Sequence, residues 1–224
     1  MTVVPPTTPP STPVAPPAAV TEPEVRSTLR PGAKGPEVLA LQQRLRSLGY
    51  WLGEPDGTYG DLTIQAVTAF QKVRDMPRDG IAGQQVARAV EAAGRQENTG
   101  GDENLIEIDK ERQVMYIVRG GNVAWILNVS TGTDKLYRVN GRTERADTPS
   151  GRWRVTSAHD GVKIGELGAI YRPRFFHRDG IAVHGYRDVP NYPASHGCVR
   201  VSNAAMDWIW SADVMALGTR VWVY

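Results

Sequence analysis

The sequence contains one cysteine, almost no net charge and no long apolar run. A single cysteine among 224 residues excludes a disulfide within the chain. The 26 basic and 24 acidic residues give a formal net charge of +2, which argues against a nucleic-acid-binding protein that relies on bulk charge. No stretch reaches the ~18 apolar residues of a membrane span, and the N-terminus lacks the basic and then apolar order of a secretory signal. We expect a globular protein that meets a membrane only indirectly, through a signal or anchor outside this sequence.

Residues 1–28 are dominated by proline, threonine, alanine and valine, with proline pairs at Pro5-Pro6, Pro9-Pro10 and Pro16-Pro17. Proline fixes φ and removes a backbone donor, so this composition disfavours helix and sheet and favours an extended chain. We predict a Pro-rich disordered tether here. It is compatible both with a spacer ahead of the folded part and with a processing remnant without function.

Three amphipathic helical segments follow within residues 29–94. The first starts near Pro36 and ends at Gly49, the second runs from about Asp61 to Val73, and the third from about Gln84 to Ala92. The loops before the last two repeat each other 23 residues apart, as Asp56-Gly57-Thr58-Tyr59-Gly60 and Asp79-Gly80-Ile81-Ala82-Gly83. The pattern predicts a small duplicated three-helix unit.

Four motifs stand in order in this unit: Leu41-Gln42-Gln43-Arg44-Leu45, Leu48-Gly49-Tyr50, Asp56 to Gly60, and Ala69-Phe70-Gln71. Together they resemble the type-1 peptidoglycan-binding domain family. The resemblance covers nearly all of residues 29–94 and implies binding to the peptidoglycan of the cell wall. Tyr50, Trp51 and Tyr59 either stack on sugar rings or belong to the core, and the usual burial of aromatic residues favours the core.

Residues 95–103 are polar, contain Gly100-Gly101 and show no periodicity, so we predict a linker there. Beyond it, apolar runs at 105–108, 114–118, 123–129, 152–156, 181–183 and 221–224 are predicted strands, and the polar stretch 134–147 is a predicted surface loop. One helix is expected after Ser202. Many strands, one late helix and no βαβ alternation predict a mainly-β sandwich or barrel over residues 104–224. The expected fold class is therefore multi-domain α and β.

The run Ser195-His196-Gly197-Cys198-Val199-Arg200 places the only cysteine two residues after a histidine. A second histidine, His184, follows the predicted strand at 181–183. Cysteine with histidine suits nucleophilic catalysis, because the thiolate attacks and an imidazole takes its proton. Gly197 permits unusual backbone angles, so we predict that the amides of Gly197 and Cys198 form an oxyanion hole. The alternative is a buried free thiol.

This run, with His184-Gly185, resembles the active-site signature of the L,D-transpeptidase family, which has a YkuD-type catalytic domain. Ser130-Thr131-Gly132 and Thr148-Pro149-Ser150-Gly151 also match the family pattern. The spacing between the His-Gly pair and the cysteine run is shorter than in many members. The resemblance covers about residues 104–224 and implies a β-sandwich with the cysteine turn at one end.

The resemblance also implies a role for each residue of the signature. Cys198 is the nucleophile, His184 is the general base, the Gly185 carbonyl orients the ring of His184, and His196 stands in the active site. The implied substrate-binding residues are Ser195, Gly197, Arg200 and Tyr171. Ser195 fixes the turn through local hydrogen bonds. Arg200 either binds a substrate carboxylate or makes a structural ion pair.

The implied reaction needs no metal or other cofactor. A thiolate attacks the carbonyl of the diamino acid that precedes the terminal D-alanine of a tetrapeptide stem, and a thioester forms. An amine of a neighbouring stem then gives a 3-3 cross-link, whereas water gives L,D-carboxypeptidase activity. The family resemblance further implies acylation by carbapenem-type inhibitors and an extracytoplasmic location in the cell wall or periplasm of a bacterium.

Two other readings compete with this one. A zinc peptidase would use His184, His196 and Cys198 as ligands, although His-x-Cys is a tight spacing and no catalytic glutamate adjoins either histidine. A non-catalytic wall-binding protein would use the larger domain only as structure. Chelator resistance separates the first from a thiol enzyme, and a Cys198→Ser variant separates the second.

Overall fold

The computed structural model describes residue 1, residues 28–97 and residues 104–224. Residues 2–27 of the predicted tether and residues 98–103 of the predicted linker lie outside the described residues. Three helices form the N-terminal region: α1 Pro36–Ser47, α2 Asp61–Val73 and α3 Gln84–Ala92. Their bounds agree with the predicted segments. Within the described residues, no helix is long and apolar enough to cross a bilayer.

The 23-residue repeat is also a structural repeat, because a buried glutamine holds each copy of the loop. The side chain of Gln42 donates to Asp56 Oδ1 (2.9 Å) and accepts from the Gly57 amide (2.8 Å). Gln71 does the same for the second copy, donating to Asp79 Oδ1 (2.6 Å) and accepting from the Gly80 amide (2.8 Å). In each loop, a buried glutamine side chain of the helical unit thus accepts the hydrogen bond of the glycine amide.

Twelve strands and one helix make up the described part of the chain after residue 103. The strands are β1 Leu105–Asp109, β2 Val114–Arg119, β3 Asn122–Asn128, β4 Leu136–Val139, β5 Arg142–Arg145, β6 Gly151–Arg154, β7 Ser157–Ala158, β8 Val162–Gly165, β9 Gly168–Phe175, β10 Ala182–Tyr186, β11 Val199–Ser202 and β12 Arg220–Val223. Helix α4 Asn203–Ser211 follows β11, and the Ser202 hydroxyl caps it by accepting from the Ala205 amide.

Two sheets share one core, which confirms the mainly-β sandwich. The first sheet has the order β3-β2-β1-β12-β6, and the second has the order β11-β10-β9-β7 with β8 paired to β9. Alternate residues of β1 (Ile106, Ile108) pack in the same cluster as alternate residues of β11 (Val199, Val201). Helix α4 contributes Ile209 to this cluster.

The predicted loop at residues 134–147 is instead a two-stranded hairpin, β4–β5. The strands β7, β8 and β9 were not predicted either. Strands β4, β5, β7 and β8 are mostly exposed, and β9, although it lies inside the second sheet, buries only Pro173 and Arg174, so none of them shows the apolar alternation that marks a strand in sequence. Leu136 in β4 is 72% exposed, and Ile164 in β8 is 81% exposed.

The helical region packs directly on the first sheet. The backbone of Trp51 donates to Ile126 in β3 (3.0 Å), and the Ile126 amide donates to Gly49 (2.8 Å). Tyr50, Trp51 and Tyr59 are all less than 10% exposed, which confirms that they are core residues rather than an exposed stacking surface. Trp51 also stacks against Trp208 of α4, with ring centroids 5.4 Å apart.

Candidate active site

The register of β10 and β11 brings the sequence-predicted residues to one face of the second sheet. These strands are parallel, with His184 opposite Arg200. Cys198 lies two residues before Arg200, and side chains two apart point to the same face. The three side chains line one cavity of about 790 Å³, together with His196 and Ser195.

His184 is buried, and its Nδ1 atom lies 2.9 Å from the Gly185 carbonyl oxygen. A carbonyl only accepts, so Nδ1 carries the proton and Nε2 keeps its lone pair. Burial lowers the pKa of His184 to about 4, and the nearby charge of Arg200 acts in the same direction, against the hydrogen bond to Gly185. The imidazole is therefore neutral and able to accept a proton at neutral pH.

Cys198 is the free thiol of the chain and is partly exposed to the cavity. Its Sγ lies 3.8 Å from the Gly180 carbonyl oxygen. Burial raises the pKa of the thiol above its usual range, while the Ala182 amide and the positive charge of Arg200 favour the thiolate more weakly. The resting cavity thus holds a neutral thiol and a neutral imidazole.

The turn that carries Cys198 is held by its own serine. Ser195 Oγ donates to the Cys198 carbonyl (2.5 Å) and accepts from the Gly197 amide (3.0 Å). Both contacts lie inside the turn, so the serine fixes its shape. The second contact corrects the predicted oxyanion hole, because the Gly197 N–H is already occupied. The Cys198 N–H remains without an acceptor in the described part of the chain.

The motifs at residues 130–132 and 148–151 form hydrogen bonds that hold this turn. Thr148 Oγ1 donates to the Gly197 carbonyl (2.6 Å) and accepts from the Gly132 amide (2.9 Å). A Cβ on Gly132 would lie 2.1 Å from the Ala146 carbonyl oxygen, and one on Gly197 would lie 2.7 Å from the Asp147 carbonyl oxygen. Glycine is required at both positions because the backbones approach so closely.

Arg200 presents its guanidinium to the cavity above the ring of Tyr186, with 4.1 Å from Cζ to the ring centroid. Its Nε is buried and has no hydrogen-bond partner among the described residues. No carboxylate of the described chain forms an ion pair with it. Of the two readings left open by the sequence, this geometry favours binding of a substrate anion over a structural ion pair.

His196 also lines the cavity; it is exposed, and its ring lies edge-on to Tyr137 of the β4–β5 hairpin at a centroid distance of 4.7 Å. The Tyr137 hydroxyl donates to Glu144 Oε2 (2.9 Å). Sequence reasoning missed Tyr137 because its segment was predicted to be a loop. The signal available was an aromatic residue in an otherwise polar stretch.

Tyr171 does not belong to this cavity, which corrects its predicted role. Its hydroxyl donates to Asp207 Oδ1 on α4 (2.7 Å). In the pairing of β9 with β10, the register shifts so that Tyr171 stands opposite Gly185. A β-bulge of this kind re-aims a side chain to the other face.

The zinc reading finds no ligand set in the part of the chain that the structure describes. Nowhere in residues 28–97 and 104–224 do three His, Cys, Asp or Glu side chains group as metal ligands. A catalytic zinc site needs three such ligands. His184, His196 and Cys198 line the same cavity without forming one.

One cavity thus holds a partly buried thiol, an imidazole of fixed tautomer, and an arginine that forms no ion pair with a described carboxylate. Residues 103–223 match the sequence profile of YkuD, the L,D-transpeptidase catalytic domain, and residues 34–90 match that of a putative peptidoglycan-binding domain. The chain belongs to the YkuD L,D-transpeptidase family.

One solved structure and two curated proteins illustrate what the chain is similar to. A crystal structure of an L,D-transpeptidase from Xylanimonas cellulosilytica is 46% identical, covers 91% of this chain and 100% of its own, and has a TM-score of 0.85. An N-acetylmuramoyl-L-alanine amidase, CwlL, from Bacillus licheniformis is 43% identical over 68 residues, which are 30% of this chain and 19% of CwlL. A spore cortex-lytic enzyme from Oceanobacillus iheyensis is 43% identical over 56 residues, 25% of this chain and 20% of that enzyme. The chain spans about a fifth of the length of these curated relatives.

Proposed function

We propose that this chain is a peptidoglycan L,D-transpeptidase with Cys198 as its nucleophile. The observation that carries the proposal is His184: its Nδ1 proton is held by the Gly185 carbonyl, so Nε2 is the basic atom in the cavity that Cys198 lines. The similar L,D-transpeptidase from Xylanimonas cellulosilytica supports the reaction class.

In the first half-reaction, His184 Nε2 takes the thiol proton as Sγ attacks the carbonyl between the diamino acid and the terminal D-alanine. The Cys198 N–H, which has no other acceptor in the described residues, is positioned to stabilise the oxyanion. The carbon–nitrogen bond then breaks, His184 returns the proton to the departing amine, and D-alanine leaves a thioester on Cys198.

In the second half-reaction, an amine of a neighbouring stem attacks the thioester. His184 takes a proton from that amine and returns it to the leaving thiolate, so the enzyme regains its neutral pair and a 3-3 cross-link is formed. Water in place of the amine would give L,D-carboxypeptidase activity. The open, exposed wall formed by His196 and Tyr137 gives an acceptor stem access to the thioester.

Arg200 is proposed to bind the carboxylate of the donor stem. It presents an unpaired, partly buried cation to the same cavity as Cys198, and a buried anion needs such a partner. Ser195 and Gly197 contribute indirectly, because their hydrogen bond keeps the turn in shape.

We further propose that residues 29–94 bind wall peptidoglycan, that residues 95–103 link this domain to a catalytic domain at residues 104–224, and that residues 1–28 form a tether. The match of residues 34–90 to a putative peptidoglycan-binding domain supports the first assignment. A substrate of this kind places the enzyme outside the cytoplasm, in the bacterial cell wall or periplasm.

The test is intact-protein mass spectrometry after incubation with a carbapenem, whose strained amide is opened by a suitably placed thiolate. We expect one adduct on the wild type, unchanged by a chelator and absent from Cys198→Ala. Loss of the adduct with chelator would favour the zinc reading. An adduct that persists on Cys198→Ala would refute the assigned nucleophile.

A further inference from the structure

The one lysine of α2, Lys72, leaves the helical region and ends inside the β-sandwich region. Its side chain is fully buried. Nζ donates to the backbone carbonyls of Gln113 (3.0 Å) and Val129 (3.1 Å) and to Asn128 Oδ1. None of the described carboxylates forms an ion pair with it, so the ammonium is held by three oriented oxygen acceptors alone.

Burying an ammonium is costly, and an apolar side chain of similar length would fill the same space without that cost. Burial, helped by the positive charge of Arg78, lowers the pKa of Lys72 to about 7. A lysine at this position is therefore expensive as a simple packing residue. Unlike an apolar side chain, Lys72 donates three hydrogen bonds, which fix the positions of the three acceptor groups.

Two of those acceptors are connected to the cysteine turn by further hydrogen bonds. Val129 precedes Ser130, whose N–H and C=O pair with the C=O and N–H of Arg200 (3.2 and 2.9 Å). The side chain of Gln113 clamps Thr131, accepting from its amide (2.9 Å) and donating to its hydroxyl (2.6 Å). The Thr131 carbonyl in turn accepts from the amide of Ser195 (2.9 Å).

A second branch holds the loop between β10 and the turn. Asn128, the third acceptor of Lys72, donates to Gln65 Oε1 on α2 (2.6 Å) and to the Val189 carbonyl (3.2 Å). Gln65 donates to the same carbonyl (3.3 Å). Further along this loop, the Tyr192 carbonyl accepts from Ser130 Oγ (2.8 Å). The loop that leads into the cysteine turn is thus held from the helical region.

We propose that Lys72 is a positioning residue for the catalytic turn, so that the wall-binding domain is a working part of the active site as well as a means of attachment. This inference rests on the proposed function. Lys72 touches neither substrate nor Cys198; it sets the placement of Arg200 through Val129 and Ser130, and that of Ser195 through Gln113 and Thr131. A displacement of a catalytic group by about 1 Å lowers the rate of acyl transfer, but the thiol stays accessible.

The experiment compares two reactions of Cys198 in Lys72→Met. One is acylation by a carbapenem, which needs the geometry of the turn, and the other is alkylation by iodoacetamide, which needs only an accessible thiolate. We expect acylation to slow by at least ~10-fold, the scale of a small misplacement at a distance, while alkylation stays close to the wild-type rate.

The matched control is Gln71→Met, at the next residue of the same helix. Gln71 is equally buried, but its hydrogen bonds to Asp79, Gly80 and Ile81 stay inside the helical region. We expect this variant to lose stability and to keep the wild-type acylation rate. Both variants are assayed at a temperature where circular dichroism shows each to be folded.

A second variant, Gln113→Asn, keeps Lys72 and shortens the side chain that clamps Thr131 and also donates to the Lys110 carbonyl (2.6 Å). Asparagine tolerates the φ of +61° at this position. It should also slow acylation selectively, and it decides the question if Lys72→Met does not fold. Wild-type acylation in Lys72→Met, or in Gln113→Asn when Lys72→Met does not fold, would overturn the inference. Equal slowing in Gln71→Met, or equal slowing of alkylation, would overturn it too. Absence of an adduct on the wild type would instead refute the proposed function.

Discussion

The carbonyl of Gly185 lies 2.9 Å from the Nδ1 atom of its neighbour His184. In a triad, a carboxylate usually occupies this position and stabilises the imidazolium that forms during catalysis. A neutral carbonyl fixes the same tautomer without adding a negative charge. Burial then dominates and lowers the pKa of His184 while it raises that of the Cys198 thiol, and this combination leads to specific expectations.

The first expectation concerns the protonation state of Cys198. Burial raises the pKa of the thiol and lowers that of His184, so a thiolate–imidazolium ion pair is disfavoured before substrate binds. The ultraviolet absorbance of thiolate, taken as wild type minus Cys198→Ser, should be close to zero at neutral pH and appear only above the usual thiol pKa. Full thiolate absorbance at neutral pH would contradict this description of the resting state.

The second expectation is a pH dependence of stability from His184. Its pKa is about 4 when folded against about 6.5 unfolded, so the unfolded chain binds more protons between these values. The contribution of neutral His184 to the free energy of unfolding should be complete above about pH 6.5. It should be lost, by about 3 kcal/mol, as the pH drops through 4. Denaturant unfolding of wild type and His184→Asn measures this. The two curves should converge toward low pH, and parallel curves would count against a buried neutral imidazole.

The third expectation concerns Arg200. Replacing it by glutamine removes a charge-assisted bond worth roughly 1.5–3 kcal/mol, so kcat/KM for a stem with a free carboxylate should fall about 10–100-fold. A stem with that carboxylate amidated should react equally with both proteins. Arg154→Gln, at an exposed arginine of the first sheet, is the control and should change neither rate. A uniform loss on both stems would point to a structural role for Arg200.

The fourth expectation concerns the close approach at Gly132. A Cβ there would lie 2.1 Å from the Ala146 carbonyl, so Gly132→Ala must displace the backbone behind the cysteine turn. Overpacking of this kind costs about 1–3 kcal/mol or more. Gly60→Ala, where no atom lies within 4 Å of the added methyl, should be nearly neutral. Thermal unfolding of the two variants gives the comparison, and equal melting temperatures would refute the steric argument.

The helices and the turn of the active site follow closely from sequence because their signals are local. The apolar spacing of α2 gives both of its ends, and the order His184-Gly185 followed by Cys198 predicts one cavity. The exposed strands lack an apolar alternation that would mark them in the sequence; in β8, for example, all four residues are exposed. The family resemblance placed Tyr171 in the substrate site, whereas a register shift in β9, which no sequence pattern reveals, turns its hydroxyl toward Asp207 of α4.

Contacts between the two regions are the least predictable feature. Lysine is almost never fully buried, so nothing in the sequence points to a buried Lys72. Its three acceptors come from positions more than 40 residues away. Only the packed structure shows that the helical region reaches the loop before the cysteine turn.

The most direct test of the account is intact-protein mass spectrometry during turnover of a disaccharide tetrapeptide. The account predicts an adduct equal to the donor stem minus D-alanine on wild-type Cys198, release of free D-alanine, and a cross-linked dimer once an acceptor amine is added. Cys198→Ala should show none of these. Release of D-alanine by Cys198→Ala at the wild-type rate, or turnover that stops on chelation, would contradict a thioester mechanism.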